Sequence, residues 1–404
     1  MRKPYSASMT PNILFVNHSA VLGGGELSLL DIARHFRGSS KVALLTDGPF
    51  RTVLADAGVA VDVVAFAASV GRVARGGGPL QGLRAVPGVL RVARSLVRHG
   101  RTADVFYANS QKAMIVAGIA GALARKPVIW HLRDLMTAEH FSVLNRRVAT
   151  RMANSFASRV IANSEATRQA LVVNGGRAEK VFVVHNGIAA DRFGSTSDRA
   201  AAGLRDGLGL AGVPVVGVFG RLARWKGQHV LLEALAGLPG VHGVIVGDAL
   251  FEGDKPYAHH LRDLAEQMGL TRRVHFLGQR DDVPHVLRMC DVVAHTSIAP
   301  EPFGRVIVES MLAGRPVVAT RAGGALEIIE DRRTGLLTPP GDAPALAEAI
   351  RLLLQDPAQT RALAEEGQMA ARERFSLEAM LAGIERQVAA VVHTAAMPEA
   401  GKHP

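Results

Sequence analysis

Cysteine is nearly missing from this chain: Cys290 is the only one in 404 residues, so no internal disulfide can form and a reducing cytoplasm is the expected compartment. Aromatic side chains are scarce, at 5%. With no recognised nucleic-acid module in view, nucleic acid is not expected as a partner. Long apolar runs are missing too. The longest nearly uncharged one, Ala113–Ala124, falls well short of the roughly 20 residues that cross a bilayer, and the first ten residues lack the apolar core of a secretory signal. There is no Asp-x-Asp and no His, Cys and carboxylate cluster at metal-ligand spacing, so no metal and no other cofactor is expected. Negative charge is missing from one long stretch: Gly71 to Arg101 carries Arg72, Arg75, Arg84, Arg91, Arg94, Arg98 and Arg101 without an acidic residue.

What is present fits two globular domains. A chain of 404 residues exceeds what one hydrophobic core ordinarily supports, and 48% hydrophobic with 21% charged residues suits two packed cores. The net charge of +11 is unevenly spread: residues 1–200 hold 26 Lys and Arg against 12 Asp and Glu, whereas residues 201–404 hold 21 against 24. Within the basic half, Leu80–Val97 has the apolar content of an amphipathic helix. The Arg72–Arg101 segment therefore reads as a peripheral contact with anionic membrane at the inner face, as a seat for an acidic acceptor, or equally as a solvated helix face.

Strand-like apolar runs alternate with helical patterns throughout, which predicts an α/β protein with two doubly wound Rossmann-like domains facing a central cleft. Strands are expected at Asn12–Asn17, Lys41–Thr46, Val61–Phe66, Asp104–Ala108, Pro127–His131, Arg159–Ala162 and Val181–Val184. A second series follows at Val213–Phe219, His242–Val246, Arg273–Leu277, Asp291–His295, Pro316–Ala319 and Gly335–Leu337. Leu29, Ile32, Ala33 and Phe36 fall at helical spacing after the first strand. Gly187–Gly212 has no strand and reads as a linker. The expected division is residues 1–190, a linker at 191–212, residues 213–375, and a last helix in 376–404 packing back on the first domain, with a frayed tail from His393.

In such sheets ligands bind beyond the strand C-termini, and three loops there stand out. Val21-Leu22-Gly23-Gly24-Gly25-Glu26 removes Cβ atoms at a helix start, which suits an anion; a tight turn needing positive φ explains the glycines equally well. Gly220-Arg221-Leu222-Ala223-Arg224-Trp225-Lys226-Gly227 brings Arg221 and Lys226 beside another helix start, which suits a pyrophosphate. Glu301-Pro302-Phe303-Gly304-Arg305-Val306-Ile307-Val308-Glu309 sets two carboxylates eight positions apart, one in a loop to accept from sugar hydroxyls and one on a helix to accept from a ribose. Spacing alone leaves an ordinary helix carboxylate and a cap open as explanations.

Taken together, Gly-Arg-Leu-x-x-Trp-Lys-Gly, Glu-x7-Glu within Glu-Pro-Phe-Gly-Arg-Val-Ile-Val-Glu-Ser-Met, and Gly-Arg-Pro-Val-Val-Ala-Thr-x-Ala-Gly-Gly resemble glycosyltransferase family 4. The resemblance runs from the glycine loop to about Phe375 and is strongest from Val213 to Pro340. It implies the GT-B arrangement and a retaining, metal-independent transfer of a sugar from a nucleotide-diphosphate donor, with UDP favoured over GDP, to a hydroxyl on a glycan, glycolipid or small natural product. It implies that Arg221 and Lys226 neutralise the diphosphate opposite the Gly24–Gly25 backbone. Glu301 then holds the transferred sugar, with Phe303 and Gly304 shaping its pocket, Arg305 and Val306 also bind the donor, Glu309 takes the ribose, and Gly278 and Gln279 border the base. His131, at a strand end, matches a histidine near the anomeric centre, although a lone strand-end histidine also serves structure. Acceptor contacts are expected from Asn109, Ser110, Lys112 and Arg133, where the resemblance is weakest.

Two rival readings use the same frame. A nucleotide-sugar 2-epimerase needs acid and base groups in other loops, and the Glu-x7-Glu block speaks against it; it alters donor without acceptor. An inactive nucleotide-sugar-binding protein is weighed against by intact Arg221, Lys226, Glu301 and Glu309, and binds donor without turnover.

Overall fold

Every residue of the runs Ile13–Asn17 and Val215–Phe219 is buried, as parallel strands covered by helices on both faces require. A computed structural model describes residues 10–64, 79–194 and 198–396. The chain divides into two units, Met1–Asn186 with Glu378–Pro404, and Gly187–Leu377.

The first unit holds β1 (Ile13–Asn17), β2 (Ser40–Leu44), β3 (Ala60–Val63), β4 (Val105–Ala108), β5 (Val128–Leu132), β6 (Arg159–Ala162) and β7 (Val181–Val183). They pair in parallel in the order β3-β2-β1-β4-β5-β6-β7. The second holds β8 (Val215–Phe219), β9 (His242–Val246), β10 (Val274–Gly278), β11 (Val292–His295), β12 (Val317–Thr320) and β13 (Leu336–Thr338), parallel in the order β10-β9-β8-β11-β12-β13. Both orders reverse direction once, between β1 and β4 and between β8 and β11. Those switch points open a crevice at the strand C-termini where a ligand can enter.

All thirteen expected strands form, with ends shifted by one or two residues. The exception is the third, which ends at Val63; Ala65 and Phe66 lie outside the described residues. The stretch expected as a linker has no strand among its described residues, yet it is packed. Gly187–Gly212 contains the helices Asp191–Gly194 and Asp198–Gly207, and Phe193, Ala201 and Leu210 are buried in the second unit's core. Ala201, Leu204 and Leu208 recur at helical spacing but are separated by polar residues, so the stretch reads as solvated.

The last helix, Leu377–Ala396, belongs with the first unit. Met380, Ile384 and Val388 are buried on it, Gly383 lies against Val184, and Glu385 reaches His35 at 2.6 Å. It continues through His393, where fraying was expected, to Ala396; residues 397–404 lie outside the described residues. The expected amphipathic helix forms as Pro79–His99, with Val92, Ala93 and Leu96 in the core and Arg91, Arg94 and Arg98 exposed. Its apolar side is thus used within the unit. Arg72 and Arg75 lie outside the described residues. No helix among the described residues is long and apolar enough to cross a membrane.

Candidate active site

The second switch point joins two loops distant in sequence. After β8, Gly220 takes φ +127° and Gly247, after β9, takes φ +132°; a Cβ on Gly247 would lie 2.0 Å from the Gly220 carbonyl oxygen. The two strand ends therefore pack backbone on backbone. The chain turns through Arg224–Lys226 and enters the helix Gln228–Ala236 at Gly227, whose φ is +67° and whose Cβ would meet the Thr296 carbonyl oxygen at 2.1 Å. Thr296 Oγ1 donates to the Lys226 carbonyl at 2.9 Å and the Ile298 amide to that of Trp225 at 2.9 Å. Loop β8 is thereby fastened to the loop after β11.

That fastening sets Lys226 against Glu301. Lys226 Nζ donates to Glu301 Oε1 at 2.6 Å, and the same oxygen accepts from His295 Nε2 at 2.7 Å and from Ser297 Oγ. Glu301 is only 6% exposed. Burial works to raise its pKa, but the charges of Lys226 and His295 and their hydrogen bonds outweigh it and hold the carboxyl well below its ordinary range. Oε2 makes no hydrogen bond among the described residues, so one acceptor oxygen of a fixed carboxylate stays available. Two glycines hold the loop backbone: Cβ atoms on Gly323 and Gly324 would meet the Glu301 carbonyl oxygen at 2.3 Å and Phe303 Cα at 2.5 Å.

Arg221 takes a different carboxylate, its Nε lying 3.3 Å from Asp254 Oδ2. Its guanidinium stands 5.9 Å from the Trp225 ring and 5.0 Å from that of Phe251, while Lys226 Nζ is 4.5 Å from the Trp225 ring. One indole is thus bordered by both cations, although each cation also faces an anion. The start of helix Gln228–Ala236 is less open than expected, because the Tyr257 hydroxyl receives the His229 amide at 3.2 Å.

Phe303 is buried edge-on against Phe375 at 5.6 Å. Gly304, at φ +105°, starts the helix Arg305–Leu312, and the Ile307 amide returns to its carbonyl. The Arg305 and Val306 amides occupy the first helical positions, which lack intrahelical acceptors. On the helix, Arg305 Nη2 contacts Glu309 Oε1 at 3.2 Å. Gly278 ends β10 at φ +64° and receives the Gly247 amide on its carbonyl at 2.8 Å; Gln279 is exposed.

At the first unit's switch point, Gly23, Gly24 and Gly25 all lie outside the positive-φ region. The tight-turn explanation of this run therefore fails. Gly23 caps the helix Gly24–His35, with the Glu26 carboxylate reaching back to the cap backbone, and a Cβ on Gly23 would meet Glu26 Oε2 at 3.1 Å. Burial raises the Glu26 pKa, offset in part by the Asn17 amide that donates to it at 3.1 Å. A Cβ on Gly25 would meet Arg133 Cδ at 3.3 Å, so the arginine stem lies across the glycine.

Arg133 organises this site. It donates to Asn109 Oδ1 at 2.6 Å and to Asn186 Oδ1 at 3.0 Å, and its Nη2 lies 3.2 Å from His131 Nδ1. Asn109 in turn donates to Asn17 and to the Gly25 carbonyl. Because arginine only donates, His131 Nδ1 is an acceptor, and the ring proton sits on Nε2. His131 is fully buried, 2.6 Å from the Tyr107 hydroxyl, and its Nε2 has no hydrogen-bond partner among the described residues. Burial, then the Arg133 charge, lowers its pKa well below the ordinary value, so the ring is neutral. Ser110 caps the helix Gln111–Ala124, accepting from the Ala113 amide, and lies 2.8 Å from His18 Nδ1. Lys112 is exposed on that helix.

The structure brings Lys226 together with Glu301, Arg305 with Glu309, and Gly25, Asn109, Arg133 and His131 into a second cluster. Sequence reasoning missed His295, Ser297, Asp254, Asn17 and Asn186. His295 ends an apolar strand beside a flagged loop, which is a usable signal; the others carry none. Among the described residues no group of three or more His, Cys, Asp or Glu is placed to hold a metal ion. A cavity of about 800 Å³ opens at the other end of the second sheet, beside Val213, Asp291 and Pro316, and contains none of these residues.

Two doubly wound parallel units, each with fixed ionic groups at its switch point, have the architecture of the GT-B fold class. A family model described as glycosyl transferases group 1 matches residues 205–370, and one described as Glycosyltransferase Family 4 matches residues 22–192. A crystal structure of Anabaena Alr3699/HepE in complex with UDP-glucose is 42% identical, covers 94% of this chain and 100% of that one, and superposes with TM-score 0.86. A lipopolysaccharide core biosynthesis glycosyltransferase LpsE from Rhizobium meliloti (strain 1021) is 39% identical over 170 residues, 42% of this chain and 48% of that protein. A D-inositol 3-phosphate glycosyltransferase from Corynebacterium urealyticum is 35% identical over 243 residues, 57% of this chain and 56% of that protein. The chain spans about half the length of the curated relatives it matches. It belongs to glycosyltransferase family 4.

Proposed function

We propose that this chain transfers a sugar, with retention at the anomeric carbon and without a metal, from a UDP-sugar to a hydroxyl acceptor. The observation that carries the proposal is the Lys226–Glu301 pair at the second switch point, 2.6 Å apart and largely withdrawn from water. A sugar diphosphate needs positive charge where its leaving oxygen gains negative charge and a hydroxyl acceptor where its sugar sits. Lys226 and Arg221 supply the first, acting as fixed electrostatic stabilisers; Glu301 Oε2 supplies the second. Support for uridine comes from Anabaena Alr3699/HepE, whose structures hold UDP-glucose and, separately, UDP and glucose.

In this scheme the bond from the anomeric carbon to the diphosphate oxygen breaks, and its electron pair leaves with the nucleotide. The acceptor oxygen forms the new bond on the same face and its proton passes to the released phosphate. Phe303, Gly304 and the Arg305 and Val306 amides border the donor, Glu309 accepts from the ribose, Gly278 and Gln279 flank the base, and the Gly24–Gly25 backbone serves the phosphates. His131 is held neutral with its proton on Nε2, so it acts as a hydrogen-bond donor, not a base. Asn109, Ser110, Lys112 and Arg133 serve the acceptor side, Asn109 and Ser110 mainly by holding Arg133 and the helix start. The single cysteine, buried Cys290, suits a cytoplasmic enzyme.

The test is a transfer assay with UDP- and GDP-sugars over a panel of glycan and lipid acceptors, with the product anomer read by proton NMR. Transfer from a UDP-sugar with retained configuration, unchanged in EDTA, is expected. Inverted product, or activity lost to EDTA and restored by a divalent ion, contradicts the mechanism.

A further inference from the structure

The cavity of about 800 Å³ at the starts of β8, β11 and β12 is lined by four arginines and two carboxylates, Arg205, Arg288, Arg315 and Arg361 against Asp291 and Glu365. The arginines come from four places in the second unit: the helices Asp198–Gly207, Val283–Met289 and Pro357–Arg374, and the turn before β12. Because β8 is five residues long, this end of the sheet lies about 15 Å from the end that carries the Lys226 loop.

The carboxylates answer only part of that charge. Arg205 Nη2 donates to Asp291 Oδ2 at 2.5 Å and to the Val213 carbonyl at 2.9 Å, and the same Oδ2 accepts from the Val215 amide at 2.8 Å. Arg288 Nε donates to the exposed Asp198 at 2.6 Å. Arg315 has no carboxylate partner among the described residues; its Nη1 reaches the Arg288 and Cys290 carbonyls at 3.4 and 3.3 Å. Arg361 and Glu365, both exposed, make no ion pair among the described residues.

Capping the end of the helix Val283–Met289 accounts for one nitrogen of Arg315, and pinning the start of β8 accounts for one of Arg205. The Nε donors of both are buried without a hydrogen-bond partner among the described residues, and a buried charged donor without an acceptor costs free energy. Burial, then the neighbouring Arg288 charge, lowers the Arg315 pKa from its ordinary value. A bound anion relieves that repulsion. Guanidinium groups arriving from several directions match a tetrahedral anion with several oxygens, whereas a carboxylate is matched by a single fork. Leu353, Leu354 and Pro357 add an apolar wall, and Asp291 and Glu365 oppose an extended polyanion.

We propose that this cavity binds a small phosphate ester, its phosphate taken by Arg315 and Arg361 and its organic part laid against Leu353, Leu354 and Pro357. The site shares no residue with the one that faces the sugar nucleotide.

Isothermal titration of the full chain with phenyl phosphate, inorganic phosphate and malonate tests this, in saturating UDP so that the donor site is occupied. Saturable binding is expected, tightest for phenyl phosphate. Arg315→Gln and Arg361→Gln should each weaken it about 10-fold or more for the lost charged hydrogen bonds. Arg361 is exposed, so its variant remains informative if Arg315→Gln unfolds. Arg37→Gln, at an exposed site in the first unit, should bind as wild type. Lys226→Met titrated without UDP should bind phenyl phosphate as tightly as wild type does in UDP, which separates this site from the donor site whatever the donor proves to be. Four results overturn the proposal: no saturable binding, affinity unmoved in Arg361→Gln, loss in Lys226→Met, or inorganic phosphate or malonate bound as tightly as phenyl phosphate.

Discussion

Lys226 and Glu301 are 75 positions apart in sequence and share a 2.6 Å contact, so changing either one acts on stability and on turnover together. Lys226→Ala is expected to lower turnover on the order of 10²-fold through the lost charge stabiliser. It should also cost about 3–5 kcal/mol of stability, because a buried carboxylate is left without its cation. The variant Lys226→Met/Glu301→Gln should recover most of the melting temperature and none of the activity; a double variant as unstable as Lys226→Ala would show that the pair is not the source of the loss.

The same carboxylate gives a pH dependence of definite sign. Glu301 is depressed in the folded state, so its contribution is full above the unfolded glutamate value near 4.3 and is lost as pH falls through the lower folded value. Wild type should therefore lose more stability than Glu301→Gln as pH drops below about 4.3, measured by urea unfolding. Parallel losses would contradict a depressed Glu301. At this scale the flagged side chains were legible as residue types with plausible chemistry. What they touch was not, since Ser297 and Asn17 carry no pattern and the contacts of Arg133 span β4, β5 and the end of the first unit.

The loops work because glycines let backbones meet. Gly227 combines φ +67° with a Cβ position 2.1 Å from the Thr296 carbonyl oxygen, so Gly227→Ala must part the β8 loop from the β11 loop. A melting temperature lower by several degrees, with donor binding lost before the fold, is expected. A variant that melts and binds as wild type would show that this junction does not position Lys226. Elements as such were largely readable: the apolar runs in Ile13–Asn17 and Val215–Phe219 marked central strands, which, buried on two faces, need no alternation. Gly187–Gly212 reads as a linker because its two short helices bury only Phe193 and Ala201, with Leu204 and Leu208 packed in part, too thin a stripe among charges. The glycine run Gly23–Gly25 was legible as the start of a helix but not as the seat of Arg133 and Glu26.

Across the molecule, charge and chemistry are divided between the units. The first carries the excess of cations and the buried Arg133–His131 network, and the second carries the ionic pairs at the β8–β11 switch point. Two sheets, each reversing strand order once, followed from the alternation of patterns in the sequence, and the family relationship rests on both halves of the chain. The division of labour assigned to the second unit is that its cations grip phosphate while other contacts grip the base. Isothermal titration of UDP and of uridine against wild type, Arg221→Ala and Lys226→Met separates these directly. Uridine should bind all three alike, which also certifies the folded state, while UDP should bind each variant about 10-fold or more weakly for the lost charged hydrogen bond. Undiminished UDP affinity in either variant, with uridine binding intact, would contradict the role given to that cation.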